Sequence, residues 1–238
     1  MILKKPYVLE SVEKLSPDIF RFRFRAQDGA AVDFTPGMFA MLAYKDGKTG
    51  EEIARAYSIS SVPNADYFDF IITMIHGQLT SKLEVAKPGD VYYISAPYGQ
   101  FKIDADPRKK FLFLAGGSGL VPFLSAIEYV KSKGSCIDAN MMYSVRFPYE
   151  IICKDELQGL VDCAMLKLTV TVTRPKEGDG WTGQTGRIDA EMIKKYVPDL
   201  AERTSYICGP MAFVNALKGA LMELGVAEKE IMAEMWGE

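Results

Sequence analysis

The hydrophobic pattern of the chain changes near Asp104-Ala105-Asp106-Pro107, and this change constrains the fold more than any other feature. Before it, β-branched and aromatic runs at 19–26, 68–75 and 91–95 are separated by glycine and proline turns. Many short strands of this kind are typical of a barrel or a sandwich. Within 19–26, phenylalanines alternate with arginines, so the two types lie on opposite faces. We predict a β domain over residues 1–105.

After this point, strand-like runs alternate with helical ones. Buried parallel strands are predicted at 111–115, 141–145, 168–173 and 206–208, and helices at 121–133, 154–160, 189–196 and 211–224. This alternation is the signature of a doubly wound α/β domain, which binds ligands at the carboxyl ends of its strands. We predict such a domain over residues 106–238, with a last strand that carries Trp236 near its end.

Composition excludes several classes of protein. A net charge of −3 and a pI near 5.4 disfavour nucleic-acid binding, which usually needs a basic excess. One histidine and four scattered cysteines, with no Cys-x-x-Cys pair, disfavour a zinc site or an iron–sulfur cluster. We expect no metal, and reduced thiols in a cytoplasmic protein. The cysteines are Cys136, Cys153, Cys163 and Cys208.

Segment 111–130 is almost uncharged and as long as a membrane span. It contains a four-residue glycine turn, Pro122 and Glu128, so a strand, a turn and a helix describe it better. The first residues, Met1 to Pro6, also lack the apolar stretch of a signal peptide. We expect no contact with a membrane.

Arg55-Ala56-Tyr57-Ser58 lies on a predicted strand and is followed by Ile59. Alternation places Arg55 and Tyr57 on one face and Ser58 on the other. An arginine fork pairs with phosphate oxygens, and a tyrosine ring is a flat surface on which a flavin can stack. The alternative is an ion-pairing arginine beside a core tyrosine, and the tetrapeptide alone does not decide between the two.

Gly77-Gln78-Leu79-Thr80 leads into Ser81-Lys82-Leu83-Glu84. The second segment has the pattern of a capping box, so we predict that a short helix begins there. The free N–H groups of a helix N-terminus, with hydroxyls nearby, are a natural seat for a pyrophosphate. A plain helix cap is the alternative.

Residues 111–122 run from a buried strand through a glycine turn into a helix, with Pro122 in its first turn. The turn, Gly116-Gly117-Ser118-Gly119, would let backbone approach a dinucleotide, although it is not the Gly-x-Gly-x-x-Gly of a standard Rossmann domain. A tight strand–helix connection, the alternative, would not need so many glycines. Cys208-Gly209-Pro210 ends another strand at the same edge, where Cys208 is either functional or a small buried apolar residue.

In this order, the motifs resemble the ferredoxin–NADP reductase superfamily, and the resemblance covers essentially the whole chain. It also includes Gly89-Asp90 and Pro97-Tyr98-Gly99-Gln100-Phe101. In that family, an antiparallel six-stranded flavin-binding β-barrel precedes a doubly wound parallel-sheet nucleotide-binding domain. The resemblance implies a two-domain β + α/β protein that binds FAD and either NADP or NAD.

The resemblance also implies a role for each motif residue. Arg55 would contact the flavin phosphates, Tyr57 would pack on the isoalloxazine ring, and Ser58 would hydrogen-bond near flavin N5. Thr80 matches the pyrophosphate-binding hydroxyl, and Cys208 would lie by the nicotinamide. The other expected cofactor contacts are Ala56, Ile59, Gly77, Leu79, Ser81, Gly116, Gly117, Ser118, Gly119, Pro122, Gly209 and Pro210.

Two opposed signals bear on the choice of nucleotide. Arg146 follows a predicted strand where the ribose 2′ position is usually read, and with Arg174 it would pair with a 2′-phosphate and favour NADPH. Glu150 is close by, and a carboxylate near the ribose would favour NADH. Arg146 as a simple surface cation is the third reading.

Trp236 is the last expected site residue. Several relatives place an aromatic near the C-terminus, on the flavin face opposite the Tyr57-like ring, so Trp236 would stack on the flavin and gate the nicotinamide. A tryptophan packed on the domain surface is the alternative. The tail Gly237-Glu238 is a departure, since some relatives end on the aromatic itself.

The activity that follows from the resemblance is hydride transfer between nicotinamide C4 and flavin N5. The chain would be an NAD(P)H-dependent flavoprotein reductase that exchanges electrons with a separate carrier such as ferredoxin or flavodoxin. The basic strand face formed by Arg21, Arg23 and Arg25 would meet such an acidic partner, unless it is an ordinary solvated face. The alternatives are a diaphorase or free-flavin reductase, and an electron-transfer subunit of a larger complex.

Overall fold

The structure is a computed structural model that describes residues 4–47 and 49–237. The chain forms two compact units, Met1–Asp104 with Leu124–Tyr129, and Ala105–Phe123 with Val130–Glu238. Each has a six-stranded sheet and a hydrophobic core. Within the described ranges, no helix is long and apolar enough to cross a bilayer.

Six antiparallel strands and one short helix form the first half of the chain. They are β1 (Lys5–Ser16), β2 (Ile19–Ala26), β3 (Phe39–Lys45), β4 (Glu52–Ser58), β5 (Tyr67–Thr73), α1 (Gln78–Leu83) and β6 (Val91–Tyr98). The strands predicted at 19–26, 68–75 and 91–95 are confirmed as β2, β5 and β6, with small differences at the ends of the last two.

The first sheet has the strand order β4-β3-β6-β1-β2-β5, which leaves β4 and β5 at its two ends. Just after β4, the N–H of Ser60 donates to the carbonyl oxygen of Asp69 in β5, at 2.9 Å. This bond, together with contacts between β4 and β5, joins the two ends. The sheet therefore curves into the predicted barrel.

The barrel core is built on the aromatic face of β2 and on the neighbouring strand β5. Phe22, Phe24, Phe68 and Phe70 are at most 1% exposed, and the ring centroids of Phe24 and Phe70 are 6.0 Å apart. Burying an apolar side chain of this size contributes roughly 1.5–3 kcal/mol. The alternation seen in the sequence thus determines which face of β2 is turned inward.

The opposite face of β2 carries arginines whose charge is compensated locally. Each contacts a carboxylate on the same sheet or an adjoining loop, and Arg23 also lies 4.1 Å from the centroid of the Tyr67 ring. The pairs are Arg21–Glu13 (2.8 Å), Arg23–Asp69 (2.7 Å), and Arg25 with both Glu10 and Asp66. Such a face has the character of an ordinary solvated strand surface rather than of a basic docking surface.

Parallel strands alternate with helices in the second half of the chain. They are β7 (Lys110–Gly116), α2 (Val121–Ser132), β8 (Asp138–Val145), α3 (Lys154–Asp162), β9 (Leu166–Val172), β10 (Gln184–Thr185), α4 (Ala190–Tyr196), β11 (Arg203–Pro210), α5 (Met211–Glu223) and β12 (Ile231–Trp236). The predicted strands and helices of this half are confirmed. β8 and β11 begin earlier than predicted because their first residues include the polar Asp138 and Arg203, which hide the apolar signal.

The second sheet is wholly parallel, with the order β10-β9-β8-β7-β11-β12. The chain runs outward from β7 to the edge strand β10 and then returns to place β11 on the other side of β7. In a doubly wound sheet, the ligand crevice lies at the carboxyl ends of the two strands where the order reverses. Those strands are β7 and β11. The two sheets confirm the predicted fold class. A ligand of the second sheet is therefore expected beside the residues that follow β7 and β11.

Candidate functional site

Arg55 and Tyr57 lie on β4 and differ in burial. Arg55 is exposed and donates from its guanidinium to the carbonyl oxygen of Ala54, at 2.7 Å, and no carboxylate of the described residues is bonded to it. Tyr57 is half-buried against the barrel core, and its ring centroid is 6.2 Å from that of Phe70. Burial raises the pKa of Tyr57, and the nearby charge of Arg55 opposes that rise. A free cation therefore lies close to a partly exposed ring.

The residues that follow Tyr57 contain an unsatisfied polar group. Ile59 is fully buried, and its N–H donates to the carbonyl oxygen of Met38 at 3.1 Å, while Ser58 is half-buried. The hydroxyl oxygen of Ser60 is buried and has no hydrogen-bond partner among the described residues. A buried hydroxyl without a protein partner can form a hydrogen bond with water or with a ligand.

The predicted short helix is confirmed as α1, but it begins earlier than the capping-box pattern indicated, so the predicted start is wrong. The helix covers Gln78–Leu83, Gly77 is its N-cap, and Glu84 is the residue that ends it. Thr80 rather than Glu84 closes the cap, because its hydroxyl accepts from the Gly77 N–H at 2.8 Å and donates to the Gly77 carbonyl oxygen at 3.2 Å. Ser81 is exposed and lies inside the helix.

α1 packs against β4, so the Gly77–Thr80 segment and the Arg55 strand are neighbours in one unit. Leu79 is buried in the barrel core, where its side chain anchors the helix. Thr80 is also buried, and its hydroxyl already accepts a hydrogen bond from the backbone N–H of Gly77. The groups that remain available for a ligand here are backbone N–H groups and the Arg55 guanidinium.

In the second half of the chain, the glycine turn and the Cys208-Gly209-Pro210 segment pack backbone against backbone. A β-carbon added to Gly119 would lie 2.0 Å from the carbonyl oxygen of Cys208. One added to Gly209 would lie 2.7 Å from the ring of Phe213, and one added to Gly116 would lie 3.0 Å from the same ring. Gly119 is therefore required, because its neighbour is backbone, whereas Gly116 and Gly209 leave room for the Phe213 ring.

The outer side of the same turn is open. Gly117 has φ +56°, and a β-carbon added there would meet nothing within 4 Å. Gly117–Leu120 forms one turn of 3₁₀ helix before α2, and Pro122 lies in the first turn of α2 as predicted. The backbone is therefore approachable from the side on which a dinucleotide would lie.

Glu234 lies beside Cys208 across the parallel pair of β12 and β11. One carboxylate oxygen, Oε2, is buried and has no hydrogen-bond partner among the described residues. Burial raises the pKa of Glu234 to about 7. Burial, and secondarily the charge of Glu234, raises the pKa of the Cys208 thiol. Cys208 is thus a neutral buried thiol next to a carboxyl group of which one oxygen has no hydrogen-bond partner in the described part of the chain.

Arg146 follows β8 and is paired with Glu150. The Arg146 guanidinium donates to Oε1 of Glu150 at 2.6 Å, and the Arg146 backbone N–H donates to Oε2 at 2.9 Å. The backbone N–H of Arg174 donates to the Arg146 carbonyl oxygen at 2.9 Å. The two arginines expected at a 2′-phosphate are therefore brought together, but the charge of Arg146 is compensated by Glu150.

Trp236 is the last residue of β12, which confirms the predicted final strand. It is in register with Pro210 and is 38% exposed. Its contact with a flavin stays a prediction, and Glu238 of the tail lies outside the described residues.

Known proteins with similar sequences place both halves of the chain in one family. Residues 6–103 match the oxidoreductase FAD-binding domain, and residues 113–219 match the oxidoreductase NAD-binding domain. The ferredoxin–NADP reductase B of Sorangium cellulosum is 29% identical over 99% of this chain and 100% of its own length. The chain belongs to the ferredoxin–NADP reductase superfamily.

Other members of the superfamily are longer. The glycine betaine monooxygenase reductase subunit of Chromohalobacter salexigens is 30% identical over 92% of this chain, which spans 61% of that subunit. Among solved structures, a ferredoxin NADP⁺ reductase from Neisseria gonorrhoeae with bound FAD and NADP has the same fold, with a TM-score of 0.82 and 24% identity over 98% of each chain.

The residues present fit the two cofactors of this superfamily. On the flavin side, neither the Arg55 guanidinium nor the buried Ser60 hydroxyl has a partner of this kind among the described residues (a carboxylate for Arg55, any hydrogen-bond partner for Ser60), so both have capacity for a bound group. On the nucleotide side, the turn is open at Gly117 and Glu234 retains a buried acceptor. The domains that match the family therefore have groups suited to FAD and to a nicotinamide nucleotide.

Sequence analysis of the superfamily motifs missed Glu234. The available signal was a carboxylate in an otherwise apolar last strand, two residues before Trp236. Only the parallel register with β11 shows that this carboxylate adjoins Cys208.

The pH dependence of stability tests the state of Glu234. Its folded-state pKa of about 7 exceeds the ordinary value of 4.5. The folded protein therefore binds this proton more tightly than the unfolded chain does, and the free energy of unfolding falls as the pH rises between those two values. Glu234→Gln removes the titration, so we expect it to stabilise the protein at about pH 8 relative to about pH 5, on the order of 1–2 kcal/mol after solvent screening.

Urea unfolding of wild type and Glu234→Gln at both pH values measures this difference. Glu228→Gln, which changes an exposed carboxylate just before β12, is the control. Parallel pH profiles for wild type and Glu234→Gln would contradict the assignment.

Proposed function

We propose that this chain is an FAD-dependent NAD(P)H oxidoreductase, with FAD held by residues 1–105 and the nicotinamide nucleotide by residues 106–238. One observation carries the proposal. At the point where the strand order reverses, Gly119 packs on the Cys208 carbonyl, and Glu234 adjoins Cys208 with one oxygen that has no hydrogen-bond partner among the described residues. This is the position at which a doubly wound sheet binds nucleotides.

When bound, these cofactors supply hydride transfer between nicotinamide C4 and flavin N5. The chain's own residues bind and orient the rings and exclude water, and no side chain need act as an acid or base in that transfer. In the first unit, Arg55 would anchor phosphate, Tyr57 would present its ring to the flavin, and Ser58 would hydrogen-bond near N5. In the second, Cys208 would pack by the nicotinamide, and Trp236 would be the aromatic that covers the flavin.

The choice between NADPH and NADH depends on Arg146 and its neighbours. Arg174 supplies a cation with no carboxylate partner among the described residues, which supports a 2′-phosphate. The Glu150 carboxylate on Arg146 opposes it. We keep both nucleotides in the proposal, and kinetics with each one decides between them.

The electron carrier in the proposal is a separate small redox protein such as ferredoxin or flavodoxin, in a cytoplasmic setting. Support comes from relatives that are named as a ferredoxin–NADP reductase and as reductase subunits of oxygenase systems. The latter relatives favour a second arrangement, in which the chain is the reductase part of a larger complex. A diaphorase or free-flavin reductase is the remaining alternative.

Steady-state kinetics separates these functions. The holoprotein is assayed with NADH and with NADPH, and each is combined with ferredoxin, flavodoxin or free FMN as the acceptor. A carrier-dependent reductase has a much higher kcat/KM with one of the carrier proteins than with free FMN. Equal or better turnover of free FMN would contradict a dedicated carrier and support the diaphorase alternative.

A further inference from the structure

A groove at the amino edge of the second sheet lies between the ends of α4 and α5, and no motif or function described above uses it. Its volume is about 1010 Å³, and its lining residues are drawn from 194–204 and 223–232. We call it the α4–α5 groove. It includes Arg203, the first residue of β11, whereas the proposed nucleotide crevice lies at the other end of that strand, beside Pro210. At about 3.3 Å per residue, the strand separates the two by roughly 20 Å.

Apolar side chains of the second core reach the surface in this groove. Val197 is buried, and Leu200, Leu224 and Val226 pack on the same core but are only partly buried. Met232 of β12, also partly buried, lines the groove with them. Such a surface suits the apolar anchor side chains of a bound protein segment.

Two of the charged residues that line the groove are compensated by their neighbours. The Arg203 side chain is 1% exposed and pairs with Asp199 at 2.7 Å and with Asp138 at 2.9 Å. Glu202 pairs with Lys110 at 2.5 Å. These two residues therefore contribute little net charge to a ligand in the groove.

The remaining charged residues of the lining are Lys194, Glu223 and Glu230. All three are exposed, and none has an ion pair within the part of the chain that the structure describes. Two uncompensated carboxylates thus face one uncompensated ammonium group, and the groove has an excess of negative charge. Lys or Arg side chains of a ligand are favoured here, whereas the phosphates of a bilayer or a nucleic acid are repelled.

We propose that the α4–α5 groove docks a segment of a partner protein in which apolar anchor side chains lie between Lys or Arg residues. The anchors pack against Leu200, Leu224 and Val226, and the basic side chains pair with Glu223 and Glu230. The proposal goes beyond the proposed function, because this binding needs neither cofactor. The groove and the nucleotide crevice lie at opposite edges of one sheet, so a partner held here leaves the crevice open.

The test uses a synthetic peptide as the probe and the full-length holoprotein as its receptor. The probe is fluorescein-labelled Lys-Lys-Leu-Leu-Lys-Leu-Leu-Lys-Lys, and a second peptide has Ser in place of each Leu and the same charge. The groove variant is Glu223→Lys/Glu230→Lys. Its charge-matched control is Asp155→Lys/Glu177→Lys, which changes two exposed carboxylates outside the groove. Fluorescence anisotropy measures each dissociation constant.

The leucine peptide should bind the wild-type protein saturably, and the groove variant should weaken that binding about tenfold or more, because two attractive charges become repulsive. The control variant should bind as the wild type does. The serine peptide should bind the wild type about tenfold or more weakly, because it buries less apolar surface. In nuclear magnetic resonance spectra, the leucine peptide should shift the backbone amide signals of Thr204 and Gly225 and leave that of Gly117 in place.

Three results would overturn the proposal: no saturable binding of the leucine peptide, equal affinity of the wild type and the groove variant, or equal affinity of the two peptides. A wild-type dimer that the groove variant dissociates, measured by sedimentation, would overturn it too, because a second copy would then occupy the groove. Flavin reduction and melting temperature should be the same in all three proteins. Failure of the proposed function is a separate result, in which neither nucleotide reduces the flavin of the wild-type protein.

Discussion

Replacing Gly119 with alanine should destabilise the second half of the chain by about 3 kcal/mol or more, since extra atoms in a packed interior cost up to about that much even where side chains can move. Here the new β-carbon would lie 2.0 Å from the carbonyl oxygen of Cys208 and 2.5 Å from its carbonyl carbon. Both are backbone atoms of a central strand, so relief requires β7 and β11 to shift. Nucleotide binding should be lost with the same substitution.

Gly159→Ala is the matched control. It lies within α3, and a β-carbon there would meet nothing within 4 Å. Alanine at a compatible helical position should stabilise the protein by about 0.5–1 kcal/mol. Urea unfolding and ADP-ribose titration of both variants measure these effects. A Gly119→Ala protein with wild-type stability and binding would show that the turn does not pack on Cys208 as described.

Arg55→Ala should weaken FAD binding by about 1.5–3 kcal/mol, which is more than roughly tenfold in Kd. The physical reason is the loss of a charge-assisted contact with phosphate. Arg55 is exposed on β4 beside Tyr57 and has no carboxylate partner among the described residues, so its charge is available to a bound anion. Fluorescence titration of the apoprotein with FAD measures the effect.

Two further variants serve as a control and as a conservative replacement for Arg55→Ala. Arg25→Ala removes a half-buried arginine of the same barrel that is already paired with Glu10 and Asp66, and it should leave FAD affinity unchanged. Arg55→Lys keeps the charge and loses the bidentate fork, so it should lie between wild type and Arg55→Ala. If Arg55→Ala binds FAD as tightly as Arg25→Ala does, Arg55 is not a phosphate ligand.

The sequence was most informative where a periodic pattern and a buried face coincide. In β2, strict alternation identified both the strand and the side on which its phenylalanines form the core. In the second half, apolar runs separated by helical patterns located the strands that the sheet contains. The first residues of β8 and β11 were less predictable, because polar residues there interrupt the apolar pattern. Such residues are tolerated where a tertiary contact satisfies them, as the Tyr196 carbonyl oxygen does by accepting a hydrogen bond from the Asn140 side chain.

Local sequence patterns gave a wrong prediction where more than one residue could cap the helix. The Ser81–Glu84 pattern resembles a capping box, but Gly77 can adopt the extended N-cap conformation and Thr80 reaches back to it. The sequence alone did not identify Glu234 as a site residue, because its importance comes from its register with Cys208 on the preceding strand, β11.

Anaerobic titration of the purified protein with NADH and with NADPH shows whether it is a nicotinamide-dependent flavoprotein. We expect a yellow protein that releases FAD on denaturation, and whose visible flavin absorption is bleached by at least one of the two nucleotides. A colourless protein that cannot be reconstituted with FAD, or a flavin band that neither nucleotide changes, would contradict it.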